Sequence, residues 1–470
     1  MSAPLVEDGV SASPEPVDRG LTYAQALAAV EERGRFGVHL GLARVRALLG
    51  LMGDPQSTLR GALVAGTNGK GSVIALAAAA LKIAGYRVGV TPKPHLVTYR
   101  ERIVVDGEPI APAVFARLVG EALPLADEVA RRHGPPTEFE LLTAIMFRHL
   151  AEARLDVALI EVGLGGRLDA THAWDGGVAV VTNVSLDHMD RLGPTIPAIA
   201  REKAAIIERD DIAVTGATGD ALEVVRRRCA RLGVPLTTVA PPSFLGSDRD
   251  GIEVTLPGLG RTRVGLRGRH QAANVAVADA LLDALDAKGI ASCPPEARRE
   301  GYRTARWPGR LELLDGSSPG SGSREVLLDG AHNVAGAEAL AGALEDLRPH
   351  LAGGGESPPP PVTLLWASMR DKDARSVTTA LARSRALEGA TVVCTAMPMP
   401  RAIAADELAG IWRDGLPSAT VVEVSDPAAA LERALSIGRG PLIVAGSLYL
   451  VGLVRGILVD DPRLRDPVVA

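Results

Sequence analysis

The sequence predicts an α/β protein in two unequal parts: a P-loop-containing, doubly wound, mostly parallel sheet domain, followed by a smaller Rossmann-like α/β domain. Three observations predict it. A short apolar run at 59–65 leads through a glycine-rich turn into an alanine-rich helical stretch at 72–85 and a second apolar run at 86–90, the strand–loop–helix–strand order that builds parallel sheets. Further apolar runs at 157–162, 178–182 and 212–215 each end in polar or glycine-rich residues. Strand-like runs then recur at 326–328, 362–366, 391–394 and 442–444, separated by helical stretches.

A chain of 470 residues exceeds one ordinary core, and domains are expected at 21–300 and 301–470. Residues 1–20, rich in Pro, Ser, Ala and Glu, read as a disordered tail without the basic and apolar regions of a signal peptide. Leu27, Val30, Leu40, Val45, Leu48 and Leu49 have the spacing of amphipathic helices ahead of the first strand. Between 241 and 269, alternating segments broken by Gly and Pro read as hairpin strands, and a helix over 271–288 closes the first domain. The stretch 294–308 is the expected linker loop, and 317–323 and 353–361 are expected surface loops.

Composition narrows the partners. Hydrophobic residues make up 47% and charged residues 23%, with a net charge of −5 from mixed rather than segregated charges, so there is no track for a nucleic acid. Any anionic ligand must be met locally by a few Lys and Arg residues and backbone amides. Cys229, Cys293 and Cys394 fit neither a metal-ligand spacing nor a disulfide framework, and no uncharged apolar run is long enough to span a bilayer. The expectation is a cytoplasmic protein in a reduced compartment, with no membrane partner.

Chemistry is expected in the loops that follow the strands, because parallel strands deliver those loops to one edge of the sheet. Gly66-Thr67-Asn68-Gly69-Lys70-Gly71-Ser72 lies between an apolar run and a helix. Glycines let backbone amides close around phosphate oxygens, the helix N-terminus adds a favourable field, and Lys70 and Ser72 can reach phosphates or their metal. The strict Walker spacing is absent, so this is a shorter variant or simply a turn. Glu161 ends an apolar run before Gly163-Leu164-Gly165-Gly166, where it could hold a hard cation or be a surface acid before a turn. His188 follows another run in the same way, either as a ligand or as a structural residue. Lys203 reads as a solvated helix lysine. Arg310 and Asp329, near the expected domain junction, could grip a nucleotide or pair with each other.

Taken in order, Ala65 to Ser72, Thr137 to Glu140, Glu161 to Thr171, Thr182 to His188, Arg306 to Arg310 and Asp329 to Asn333 resemble the folylpolyglutamate synthase/dihydrofolate synthase family of the Mur-ligase superfamily, over nearly the whole chain from about residue 22. The resemblance implies an ATP- and Mg2+-dependent ligase that joins glutamate to a dihydropteroate or folate carboxylate through an acyl phosphate; the chain itself is expected to be a monomer. It implies that Gly66, Thr67, Asn68, Gly69, Lys70, Gly71 and Ser72, with Asn274, Arg310 and Asp329, contact ATP, with His332 nearby in a catalytic role. It implies Ser72, Glu161, His188 and a carbamylated Lys203 around the metal. Thr137, Glu138, Phe139 and Glu140, with Leu168, Asp169 and Ala170, match segments that line the dihydropteroate site in bifunctional members.

Two positions depart from the family pattern: Lys93 in Thr91-Pro92-Lys93-Pro94-His95, where a serine near magnesium is usual, and His172, where an asparagine is usual. A protonated lysine cannot ligate a metal. Lys93 could replace part of one metal's charge or point into solvent. The alternatives are a nucleotide-binding paralogue with altered catalysis, a P-loop kinase or hydrolase, and a Mur-type ligase acting on another carboxylate.

Overall fold

Strand β1 (Gly61–Ala65) is buried along its whole length, which is why it reads as an uninterrupted apolar run rather than an alternating one. It lies at the centre of an eight-stranded sheet in a computed structural model that describes residues 20–37, 39–316 and 324–467. The expected tail, apart from Gly20, and the expected loop at 317–323 lie outside the described residues.

The other strands of this sheet are β2 (Val88–Thr91), β3 (Val104–Val105), β4 (Glu108–Pro109), β5 (Val157–Glu161), β6 (Gly177–Val181), β7 (Ile212–Thr215) and β8 (Leu236–Thr238). Their order is β4-β3-β2-β5-β1-β6-β7-β8. All pairings from β2 to β8 are parallel, while β3 and β4 add an antiparallel edge. From β1 the strands extend to both sides, to β5 on one and β6 on the other, so the crevice beyond the carboxyl ends of these three strands is the topological switch point. The loops starting at Gly66, Val162 and Thr182 meet there.

Both faces of the sheet are covered. Helices Tyr23–Glu32, Ala43–Leu51, Pro112–His133 and Glu138–Glu152 contribute to one core, and helices Lys70–Ile83, Gln271–Ala287 and Pro295–Thr304 to the other. The last of these corrects the expected linker loop: residues 295–304 are helical, and Gly301 packs so tightly on the first of its neighbours that a Cβ there would stand 2.4 Å from the Ala80 Cα. The chain passes to the second sheet only over 305–311. Between the helices, β9 (Ser243–Asp248), β10 (Gly251–Leu256) and β11 (Gly260–Val264) form the antiparallel sheet expected from the alternating segments.

The second sheet contains β12 (Glu312–Leu314), β13 (Val326–Leu328), β14 (Thr363–Trp366), β15 (Thr391–Cys394), β16 (Thr420–Glu423) and β17 (Leu442–Ala445), in the order β12-β13-β17-β14-β15-β16. It is parallel except for β12. The α/β class and its two parallel sheets are as expected. The strands that periodicity missed, β3, β4, β8, β12 and β16, are short, and β16 is largely exposed, so they lack the apolar run that marks a buried strand.

Candidate active site

Gly69 begins the helix Lys70–Ile83 at φ +82°, a conformation that glycine reaches without steric cost. A Cβ at this position would also stand 2.3 Å from Asn274 Oδ1, so two elements close on the loop. Gly71, one residue into the helix, is pressed against the Trp307 indole, where a Cβ would lie 2.7 Å away. The loop backbone is tied down from β6: Asn68 N–H donates to Asn183 Oδ1 at 3.0 Å, and Thr182 Oγ1 donates to the Asn68 carbonyl at 2.7 Å.

A cavity of about 600 Å³ opens at this point between the two sheets. It is lined by the whole 66–72 loop and by Lys93, Glu161, His188, Lys203, Asn274, Arg310, Asp329 and His332, together with Phe139. The expected nucleotide and metal residues therefore converge, although they come from widely separated parts of the chain.

Positive charge gathers here. Lys70 Nζ donates to the carbonyls of Gly66 and Thr67 at 3.1 Å each and lies 3.9 Å from Glu161 Oε1. Lys203 is 5% exposed, and its Nζ donates to the Gly66 carbonyl at 2.9 Å. The structure thus corrects the solvated-lysine expectation. Burial, reinforced by the charge on Lys70, pushes the Lys203 amine down to about 7. Lys93 does not point into solvent either: its backbone N–H donates to Glu161 Oε2 at 3.2 Å, and its Nζ donates to the Glu161 carbonyl at 2.5 Å. Desolvation lowers its amine to about 8, against the pull of Asp169 and Glu161.

Glu161 is 4% exposed, and burial raises its pKa while Lys70 and Lys93 oppose the rise. His188 is an exposed left-handed residue at φ +50°, its Nε2 3.9 Å from Asp187 Oδ1. Among the described residues no three His, Cys, Asp or Glu side chains form a metal-binding group. Alongside Asp187, Asp329, His270 and His332, which also line the cavity, the expected metal donors are the Glu161 carboxylate, the His188 imidazole and the Ser72 hydroxyl. That set fits Mg2+, which binds through one or two protein groups plus phosphate oxygens and water rather than in a closed protein cage.

The second sheet contributes Asp329 and His332 after β13. The Asp329 carboxylate accepts from Leu311 N–H and Ala331 N–H, each at 2.9 Å, and so holds its own loop together. Arg310 Nη1 donates to the Gly309 carbonyl; its charge opposes the burial-driven rise of the Asp329 carboxyl without a direct pair between them. His332 Nδ1 lies 2.6 Å from the Gly330 carbonyl. A carbonyl only accepts, so Nδ1 carries the hydrogen and Nε2 is left as a base, with burial pushing the imidazole down to about 4.

The expected acceptor-site residues divide. Phe139 lines the cavity, and Glu138 lies 3.9 Å from Arg102, another lining residue. Thr137 and Glu140 do not line it: they form the capping box of helix Glu138–Glu152, with Glu140 also paired to Arg44 at 2.9 Å. Leu168, Asp169 and Ala170 also lie off the cavity. Asp169 instead shapes the glycine loop, accepting from Leu164 N–H at 2.8 Å and Thr171 N–H at 3.0 Å. His172 bridges the Arg167 carbonyl and Glu208, away from the cavity.

Sequence reasoning passed over Asp187, Lys372 and Asn333. Lys372 Nζ donates to Asp187 Oδ1 at 2.8 Å, and Asn333 Nδ2 donates to Asp187 Oδ2 at 2.9 Å, joining the two sheets beside the cavity. The only signal was the neighbourhood of each in a strand-following loop.

Comparison with known proteins finds relatives for both halves of the chain. A family model described as the Mur ligase middle domain matches residues 64–282, and one described as the dihydrofolate synthetase C-terminal domain matches residues 312–457. The chain is 36% identical over 329 residues to the dihydrofolate synthase/folylpolyglutamate synthase of Bacillus subtilis, covering 68% of this chain and 75% of that protein. Mycobacterium tuberculosis folylpolyglutamate synthase, solved with ADP and AMPPCP, superposes with a TM-score of 0.81 at 31% identity, covering 94% of this chain and 100% of that one. The bifunctional folylpolyglutamate synthase/dihydrofolate synthase of Yersinia pestis, solved with AMPPNP and Mn ion, gives a TM-score of 0.75 at 29% identity, covering 95% and 100%.

Proposed function

The chain belongs to the folylpolyglutamate synthase/dihydrofolate synthase family of ATP-dependent ligases, and from that premise we propose that its interdomain cavity joins L-glutamate to a dihydropteroate or folate carboxylate. The observation that carries this reading is the convergence of Lys70, Glu161, His188, Lys203, Arg310 and His332 on one cavity at the switch point of the first sheet.

A carboxylate is a poor acyl donor because its leaving group would be oxide. Phosphorylation by ATP converts it to an acyl phosphate, and the amine of glutamate then displaces phosphate to form the amide. Protein work in such transfers is chiefly positioning and electrostatic stabilisation. The 66–72 amides and Lys70 meet the phosphates, while Asn274 and Arg310 close the nucleotide side and Asp329 shapes the loop there. Phe139 and Glu138 border the acceptor. The Nε2 of His332, the ring nitrogen without the hydrogen, can accept a hydrogen bond from the attacking amine. Glu161, His188 and Ser72 would hold Mg2+, which when bound supplies charge neutralisation at the phosphates. Lys203 would join them as a carbamate: its depressed pKa leaves a neutral amine able to take up CO2 near neutral pH.

The two domains, expected at 21–300 and 301–470, would meet nearer 305–311, after the helix Pro295–Thr304, and work as one cytoplasmic monomer. Three buried free cysteines support a reduced compartment, and no helix among the described residues is long and apolar enough to cross a membrane. The test is ligation with ATP and glutamate, offering dihydropteroate, folate and a nucleotide-linked muramyl acceptor in turn. The expected result is glutamate-dependent ADP release with a pterin acceptor. Activity with the muramyl acceptor alone, or ADP release independent of glutamate, rejects the proposal.

A further inference from the structure

We propose that Lys93 is a catalytic residue of this ligation, its ammonium group meeting the oxygens of the acceptor carboxylate as they become part of the acyl phosphate. The inference rests on the ligase reading above. Lys93 follows β2, the neighbour of β5, and is bound to the end of β5 twice, by its backbone N–H to Glu161 Oε2 and by its Nζ to the Glu161 carbonyl. Two bonds to one residue fix where the ammonium stands. Another neighbour is the Phe139 ring, whose centroid is 5.1 Å away. Phe139 in turn abuts the glycine loop, where a Cβ on Gly163 would stand 2.8 Å from the ring.

The Glu161 carbonyl and the ring face attract the ammonium without neutralising it, and the pull of the Asp169 and Glu161 carboxylates is opposed by the charges of Arg102 and Lys70. An ammonium has three donor hydrogens, and the Glu161 carbonyl takes one of them, which leaves two for a ligand. Of the three lysines that line the cavity, Lys70 is bonded to the Gly66 and Thr67 carbonyls and Lys203 to the Gly66 carbonyl, both on the phosphate loop. Lys93 is bonded instead at the end of β5 and stands beside the Phe139 ring, against which an aromatic acceptor would stack. Its position suits the junction of acid and phosphate.

That junction is where charge shifts. A carboxylate oxygen forms a bond to the γ-phosphorus, and the bond from that phosphorus to the bridging oxygen breaks, leaving its electron pair on ADP. The amine nitrogen then bonds to the acyl carbon, its surplus proton passes to a base, and the carbon–oxygen bond breaks with its pair leaving on phosphate. A fixed cation beside the carboxyl oxygens offsets their repulsion by the γ-phosphate as the two anions meet in the first step, and the charge that builds on the acyl oxygen as the amine adds in the second.

The test isolates the first step. Isotope scrambling between the bridging and non-bridging positions of ATP labelled with oxygen-18 at the β,γ-bridge is followed with the pterin acid present and glutamate omitted, alongside equilibrium dialysis of ATP. Lys93→Met should slow scrambling by about a hundred- to a thousandfold while ATP affinity stays within about threefold. Lys93→Arg should regain part of the rate, and Lys93→Gln carries the same comparison should the methionine variant not fold. Scrambling within threefold of wild type overturns the proposal, as does a loss of ATP affinity equal to the loss of rate. A wild-type enzyme that forms no glutamate-dependent amide overturns the ligase reading and this inference with it, whereas amide formation by wild type with undiminished scrambling in the variants overturns this inference alone.

Discussion

Lys372 Nζ reaches across from the second sheet to donate to Asp187 Oδ1 at 2.8 Å, beside the cavity in which the phosphate loop, Glu161 and His188 meet. Both side chains are about nine-tenths buried, at 12% and 10% exposed. Asn333 takes the other Asp187 oxygen, so the carboxylate is bound twice from the opposite side of the cleft. This pair is the buried tie nearest the site among several that join the two halves, Arg249 with Glu325 and Arg269 with Asp346 being others.

Breaking it should therefore open the cleft before it unfolds either half. Burial pushes the Asp187 carboxyl up, but Lys372 and His188 outweigh this and hold it well below the usual carboxylate range. A depressed carboxyl contributes stability above its unfolded pKa and loses it as pH falls through the folded one. Removing one partner of a buried pair costs about 3–5 kcal/mol, so Lys372→Met should enlarge the radius of gyration measured by solution scattering at neutral pH, and Asp187→Asn in the same chain should partly reverse the change. An unchanged profile in Lys372→Met would count against the latch.

Lys70→Ala should lower turnover by about a hundred- to a thousandfold with little change in melting temperature. The bonds it loses are to the carbonyls of a loop that Asn183 and Thr182 also hold. Near-normal turnover would reject its assigned role at the phosphates.

The pKa of Lys203, lowered to about 7, means that its amine becomes neutral as pH rises through neutrality, and carbamate forms from the neutral amine. Enzyme kept in carbon-13-labelled bicarbonate should show a carbamate carbon resonance that grows from pH 6 to pH 8.5 and is absent in Lys203→Arg. A resonance that persists in that variant belongs to another amine.

Glu161→Gln removes the one carboxylate in the expected metal donor set. Divalent-ion affinity in the presence of nucleotide, read by Mn2+ electron paramagnetic resonance, should fall further than the roughly 10–100-fold typical of losing an outer-shell partner. Unchanged Mn2+ binding would move the metal elsewhere.

Gly69→Ala should cost about 1–2 kcal/mol for the left-handed backbone, together with the clash on Asn274. Denaturant unfolding should show that loss and nucleotide dialysis a weaker affinity, whereas Gly85→Ala, at φ +92° with open space around it, should show the stability loss alone.

The sequence by itself determined the α/β class, the buried strands and the loops where chemistry gathers, because strands buried on both faces must be written as apolar runs and phosphate-type turns as glycines. It also carried Gly66 to Ser72, Glu161 and His188 as a set, since parallel topology brings strand-following loops to one rim whatever their spacing in the chain. Only the tertiary structure decided which polar groups of those loops face the cavity. Thr137, Glu140 and Asp169 lie in matching motifs, yet they turn their oxygens to backbone N–H groups, because helix ends and tight loops leave donors that must be satisfied. It also turned Lys203 inward, fixed Lys93 on Glu161 and paired Lys372 with Asp187 across the cleft. A long flexible side chain has no periodicity that reveals where its charge will stand, and a contact between residues 185 positions apart depends on how two sheets dock.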